Sequence, residues 1–355
     1  MLTATTRCGI IGYSHYLSMG NAFMNRFLLV WLVCFAVACG SSDKGLQPED
    51  IPVLSEGDIL LTDAAQRALF RIHPGTGDRT VVTSSIGGVP RQIARDANGD
   101  LLMTLSESSL PIVLRFDVRT GDLFIVSSGG SPVDPNVPII GSGPPFLGPV
   151  GLVRETSGQL IVGDQPSATI FRVDPLSGDR EVVSGPSRGD GPPFTGRIKQ
   201  FALEADGKLL LVVGSVSQGG EGRIFRIDPD SGDRTVVSGP EMGEGPRLMD
   251  PEGIVLNSLN TIFVTDIGQA AVIQIDPING NRTIISSPFM GAGELPDIPS
   301  GLAFNTLDQL LVADRTVIYR VDISTGDRTV ISAPIIGQGE PFLVADDILV
   351  IKNAN

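Results

Sequence analysis

The chain has 355 residues, with 40 Asp and Glu against 26 Lys and Arg, for a formal net charge of −14. Affinity for nucleic acid comes from Lys and Arg neutralising phosphates, and adhesion to anionic lipid needs a basic face, so this balance excludes both. The chain has 43 Gly and 26 Pro and no sustained helical period, which points to short strands joined by turns.

At the N-terminus, Met24-Asn25-Arg26 precedes an apolar run over residues 27–38. One positive residue before a run too short to span a bilayer comfortably reads as a secretion signal. Residues 1–23 show neither charge pattern nor repeat, which points to Met24 as the true start. Ala36-Val37-Ala38-Cys39 resembles the bacterial lipobox, in which the Cys is acylated and becomes the mature N-terminus. The resemblance implies a lipid on Cys39 and a place in the cell envelope, facing the periplasm or the exterior. Ala36, where Leu is commoner, keeps an ordinary cleaved signal as the other reading. Gly40-Ser41-Ser42-Asp43-Lys44-Gly45 reads as a flexible tether. The expected organisation is a signal over 1–38, a lipidated Cys and tether over 39–50, and one repeat domain over 51–355. Loss of the signal removes Cys8, Cys34, His15 and Trp31. Cys39 is then the sole cysteine, which excludes a disulfide framework and a thiolate metal site.

Residues 69–84 are the first of six copies of one unit, the others being 113–128, 170–185, 224–239, 272–287 and 318–333. The fourth is the clearest. Ile224-Phe225-Arg226-Ile227 is a strand, Asp228-Pro229-Asp230-Ser231-Gly232 a turn, and residues 234–238 the returning strand. Turn glycines Gly77, Gly121, Gly178, Gly232, Gly280 and Gly326 recur every 44–57 residues, the period of a four-stranded propeller blade. Two further strands precede each hairpin, as in residues 253–256 and 261–266. Second strands such as Leu209-Leu210-Leu211-Val212-Val213 are apolar at consecutive positions, as expected of a blade buried on both faces. The expected fold is all-β: a six-bladed β-propeller of four-stranded antiparallel blades, closed by both termini in one blade. Residues 51–63 read as a shortened first and second strand of blade one, and residues 342–351 are also strand-like. The strand that each terminus contributes stays open.

Leu310-Leu311-Val312-Ala313-Asp314 followed by Ile318-Tyr319-Arg320-Val321-Asp322 resembles the NHL-type repeat. Thr261-Ile262-Phe263-Val264-Thr265-Asp266 with residues 272–276, and Leu60-Leu61-Thr62-Asp63 with residues 69–72, match similarly. The resemblance extends to six-bladed propellers that include gluconolactonase-like metal hydrolases, streptogramin-lyase-like enzymes and many binding domains, and fold does not choose among them.

Propeller geometry puts the turns between first and second strands on the same face as the Asp-Pro hairpins. Both are short and regular and read as scaffold. The other face carries the loops between second and third strands and the blade-to-blade crossings, where binding residues tend to sit. The crossings share a Gly-x-Gly motif, as in Gly189-Asp190-Gly191 and Gly243-Glu244-Gly245. No helical pattern follows any of them, so they read as repeated glycine turns and not as phosphate cradles.

Beside the central channel, at the entries to first strands, stand the candidate ligand-binding residues Arg91, Gln92, Lys199, Gln200, Glu252 and Ser300. Asp63, Asp164, Asp266 and Asp314 end second strands on the same face. Two readings of this set stay open. Four carboxylates round one rim would suit Ca²⁺ or another hard divalent cation. A residue repeated with the blade, however, serves the blade, accepting local backbone N–H bonds. Arg71, Arg115, Arg172, Arg226 and Arg320 on third strands, and Asp78, Asp122, Asp179, Asp233 and Asp327 in the hairpins, read as inter-strand pairing and surface solvation. His73, the one mature His, opens a hairpin on the scaffold face and is a poor general base.

These features favour a lipid-anchored envelope propeller, expected to be monomeric, that binds an envelope protein or small ligand through its channel mouth. The alternative is a metal-dependent lactonase or esterase resembling the gluconolactonase-like group, with Glu252 as the Glu which that resemblance implies. Lyase chemistry of the streptogramin type implies a channel-facing His, and the mature chain offers none there. Without Trp and with one mature Tyr, stacking platforms for sugars are few.

Overall fold

The computed structural model describes residues 51–352 apart from positions 85, 108, 132 and 217–219. The expected signal over 1–38 and the expected lipidated Cys39 with its tether over 39–50 lie outside the described residues. The fold is a six-bladed β-propeller. The inner strands of blades 1 to 6 are Ala345–Val350, Pro90–Arg95, Pro149–Arg154, Arg197–Leu203, Pro251–Leu256 and Pro299–Phe304. Each inner strand packs beside the next, and the sixth returns to the first. Blade 2 carries an added two-residue strand, Ile139–Ile140, at its outer edge.

Both termini share blade 1, in the order Ala345–Val350, Ile59–Asp63, Ala68–Ile72, Arg79–Thr83. The C-terminal segment supplies the inner strand and the N-terminal segment the other three. The expectation that residues 51–63 hold both a first and a second strand is therefore corrected: only Ile59–Asp63 is a strand. Ile51 instead joins the apolar cluster between blades 1 and 2, where a Cβ added to Gly121 would come within 2.8 Å of its Cδ1.

The core is divided into six clusters, one at each junction between neighbouring blades. Side chains on a strand alternate between faces. Thus Leu210 and Val212 pack toward blade 5, while Leu209, Leu211 and Val213 pack toward blade 3. Both faces are buried, so the second strands are apolar throughout.

At the rim, a latch joins five of the six crossings to the blade each leads into. Arg234, buried at the start of an outer strand, donates to the carbonyls of Pro192 (3.0 Å), Arg188 (2.9 Å) and Gly189 (3.0 Å) and to Ser184 Oγ (2.8 Å). It also lies 5.2 Å from the ring centroid of Phe194. Arg79, Arg180, Arg282 and Arg328 do the same work in blades 1, 3, 5 and 6. The Gly-x-Gly motif is what lets the two backbones meet: a Cβ on Gly189 would stand 1.8 Å from the Gly232 oxygen. The hairpin aspartates belong to the latch. Asp179, Asp233, Asp327 and Asp78 accept the N–H of Ser142, Asp190, Ala292 and Gln338 at 2.6–2.8 Å. Their reading as surface solvation is corrected accordingly. The third-strand arginines do pair across strands, as Arg71 with Asp58 and Arg226 with Glu204, both at 2.6 Å. Blade 2 has Leu123 at the latch position, and at that junction the N-terminal Ile51 fills in.

Candidate functional site

Every inner strand carries a β-bulge near its start, placing two residues opposite one on the second strand. Residues 91 and 92 oppose Thr104, 199 and 200 oppose Val212, and 252 and 253 oppose Thr265. The same irregularity marks blades 1, 3 and 6. A bulge re-aims its side chains, and here it yields two rings about the channel axis. In blade order from 1 to 6, the mouth ring is Asp346, Arg91, Val150, Lys199, Glu252 and Ser300. The waist ring beneath it is Asp347, Gln92, Gly151, Gln200, Gly253 and Gly301.

The waist is closed by side chains. Gln92 Oε1 accepts the N–H of Leu152 (2.7 Å) and Phe201 (3.2 Å), and its Nε2 donates to the Phe201 carbonyl at 3.2 Å. Gln200 Nε2 donates to Asp347 Oδ1 at 2.9 Å, and Ile93 N–H to Asp347 Oδ2 at 3.0 Å. Glycine at the other three positions leaves room for these reaches: a Cβ on Gly151 would stand 2.4 Å from the Lys199 oxygen. Burial pushes the Asp347 carboxyl up to about 7, against the opposing pull of the Ile93 N–H.

The mouth above is a cup of about 190 Å³. It brings together five of the six channel-side candidates, Arg91, Gln92, Lys199, Gln200 and Glu252, and adds Arg197 and Asp346. Ser300 does not line it: its hydroxyl donates to the Ala345 carbonyl at 2.8 Å. The charged groups are paired. Arg91 Nη1 meets Asp346 Oδ1 at 3.2 Å, and Lys199 Nζ meets Glu252 Oε2. Burial raises the Glu252 and Asp346 carboxyls above the usual range, while their cationic partners hold them down. Below the waist lies a second cavity of about 390 Å³, walled mainly by apolar residues such as Ile254, Leu302, Phe304 and Leu349.

The four candidate metal aspartates do not converge. Asp164 accepts the N–H of Leu147 (2.7 Å) and Gly148 (2.8 Å), Asp266 that of Met249 (2.7 Å), and Asp314 those of Asp297 (2.9 Å) and Ile298 (2.7 Å). Asp63 takes those of Ala65 and Gln66, each at 2.9 Å. For Asp164, Asp266 and Asp314 these donors lie on the incoming crossing, and Asp63 also accepts the N–H of Leu343 and Val344 there, so each Asp staples that crossing to its own blade. Among the described residues, no group of three or more His, Cys, Asp or Glu stands close enough to hold a metal ion. The cation reading of these four residues is corrected to a structural one. His73 is exposed in its hairpin, its Nδ1 accepting the N–H of Gly75 and Thr76 at 3.2 Å, in place of the usual Asp.

Sequence reading missed Asp346, Asp347 and Arg197. The signal was present: Pro90-Arg91-Gln92-Ile93, Pro251-Glu252-Gly253-Ile254 and Pro299-Ser300-Gly301-Leu302 share a pattern that Ala345-Asp346-Asp347-Ile348 continues.

No protein-family model matches the chain, and no curated protein sequence matches it. Among solved structures it is similar to one of a nidogen/laminin complex, at 12% identity and a TM-score of 0.58, covering 82% of this chain and 97% of that one. It is similar to a catalytically inactive virginiamycin B lyase of Staphylococcus aureus with quinupristin, at 17% identity and a TM-score of 0.54, covering 80% and 84%. A gluconolactonase of Xanthomonas campestris is similar at 15% identity and a TM-score of 0.54, covering 84% and 89%. At these identities the likeness is one of fold alone.

Proposed function

We propose that the chain is a non-catalytic binding propeller of the bacterial cell envelope, held there by a lipid on Cys39, that captures a small ligand or partner group in the cup at its channel mouth. The observation that supports this reading is the pairing of both mouth carboxylates with cations above a closed waist. Glu252 is tied to Lys199 and Asp346 to Arg91. The cation beside each carboxylate lowers its basicity and its pull on a metal ion, whereas a recognition site uses such paired charges as fixed donors and acceptors.

The alternative is a metal-dependent lactonase or esterase, with Glu252 and Asp346 released from their cations to take a divalent ion. One experiment separates the two. A hydrolase gains several degrees of melting temperature on addition of Ca²⁺, Mg²⁺, Mn²⁺ or Zn²⁺, because an ion that binds only the folded state stabilises it, and it turns over lactones or esters. The binding reading expects neither effect, and both together would sink it. The anchor is tested separately: Cys39→Ser should move the protein from the membrane to the soluble fraction, and wild type already soluble would refute the lipid.

A further inference from the structure

The order of charges round the mouth is not random. Going round the ring from blade 1, it runs acid, base, apolar, base, acid, hydroxyl: Asp346, Arg91, Val150, Lys199, Glu252, Ser300. The two cations flank blade 3, and the two carboxylates flank blade 6. Arg197 lines the cup as well and adds a third positive group on blade 4. Asp250, just before Glu252, adds a third acid on blade 5. Its Oδ1 is buried without a hydrogen-bond partner, and its charge is felt at Glu252. The mouth is therefore a dipole, positive over blades 2 to 4 and negative over blades 5 and 1.

We propose that the ligand of this cup is a small zwitterion of the amino-acid or dipeptide type, lying with its carboxylate between Arg91 and Lys199 and its ammonium between Glu252 and Asp346. This rests on the binding reading above and names the chemistry it would recognise. The internal pairs leave capacity for it. Arg91 gives only Nη1 to Asp346, and Lys199 gives one of three N–H groups to Glu252, on its Oε2. Remaining guanidinium and ammonium donors face a ligand carboxylate across Val150, which offers no polar atom of its own. Glu252 Oε1 and the second Asp346 oxygen are not used in these pairs and are left for a ligand ammonium, and the Ser300 hydroxyl is turned onto backbone carbonyls. A singly charged ligand fits worse. A lone anion meets the acidic side without compensation, and a lone cation meets three positive groups; in a partly desolvated cup such mismatches cost more than in water. The volume of about 190 Å³ lies below the range of roughly 300–1,000 Å³ usual for drug-sized ligands, which restricts the ligand to a few heavy atoms beyond its charged ends.

The test is a calorimetric titration of the folded protein with glycylglycine, with N-acetylglycine, which keeps only the carboxylate, and with glycinamide, which keeps only the ammonium. Glycylglycine is expected to bind at least about tenfold more tightly than either analogue. Glu252→Gln, nearly isosteric, should weaken glycylglycine and leave N-acetylglycine as tight or tighter, since it removes an opposing carboxylate and frees Lys199, and its melting temperature checks that the ring is intact. N-acetylglycine binding as well as glycylglycine, insensitive to Glu252→Gln, would overturn the zwitterion and leave a carboxylate-binding propeller. No heat from any of the three at millimolar concentration would overturn the zwitterion too. Lactone or ester turnover with a divalent ion would remove the binding reading itself.

Discussion

Asp347 offers a measurable pH signature. In the unfolded chain its carboxyl titrates near 3.8, and in the folded waist burial raises it to about 7. Between those values the folded state keeps a proton that the unfolded state has lost, so stability falls as pH rises through the window and levels off above it. A shift of that size corresponds to a loss of about 4 kcal/mol of stability, complete by about pH 8 and absent below the unfolded value. Asp347→Asn removes the titration and keeps the bonds. Its Oδ1 can accept the Ile93 N–H, and its Nδ2 can donate to Gln200 once that amide turns over, because Gln200 uses only Nε2 in the native waist. The variant should match wild type near pH 4 and exceed it by about 4 kcal/mol at pH 8, a gain on the order of 8 °C in melting temperature. Denaturant unfolding of both proteins across this range gives the difference directly, and contributions from Glu252, Asp266 and Asp314 largely cancel in it. A difference that stays flat from pH 4 to pH 8 would refute the buried, protonated Asp347.

Arg234→Ala should cost about 3–5 kcal/mol, because several rim carbonyls lose their donor where water enters poorly; unfolding within about 2 °C of wild type would refute the latch. Gly189→Ala should destabilise by a similar amount, since its φ of 82° is unfavourable and the new Cβ meets the Gly232 oxygen; a neutral melting curve would show that the two backbones do not touch. Truncation before Ala345 should abolish cooperative unfolding of the ring, read by calorimetry, and a sharp transition near the wild-type temperature would count against closure by that strand.

The hairpins, the blade period and the doubly buried second strands were all legible, because each follows from local chemistry: Asp-Pro and Gly for the turn, consecutive apolar residues for a sheet covered on both sides. The inner-strand bulges were not. A bulge changes the count of residues between two strands by one, and a period that varies by several residues hides it. Arg234 and its four counterparts repeat visibly, but sequence gives only their place at the start of a strand. Their partners lie in the preceding crossing and outer strand, and the twist between blades decides which carbonyls they meet. Arg91, Lys199 and Glu252 stood out because they break the repeat. Asp346 and Asp347 break it too, yet they belong to a first strand separated from its own hairpin by nearly the whole chain, so no local pattern tied them to the others.

That separation bears on how the protein is made. Asp347 N–H donates to Thr62 Oγ1 across 285 residues of sequence, and Ala345–Val350 follows all the other described strands in the chain. Blades 2 to 6 can stack in turn as they emerge, each on the one before it. Ile59–Asp63, fully buried in the finished ring, waits throughout with the edge that Ala345–Val350 covers left unpaired. A chain that ends between Ser332 and Ala345 therefore keeps the strands of blades 2 to 6 and leaves Ile59–Asp63 with one edge unpaired. Closure thus depends on one strand: the ring shuts only when the strand that carries two acids of the mouth and waist is in place.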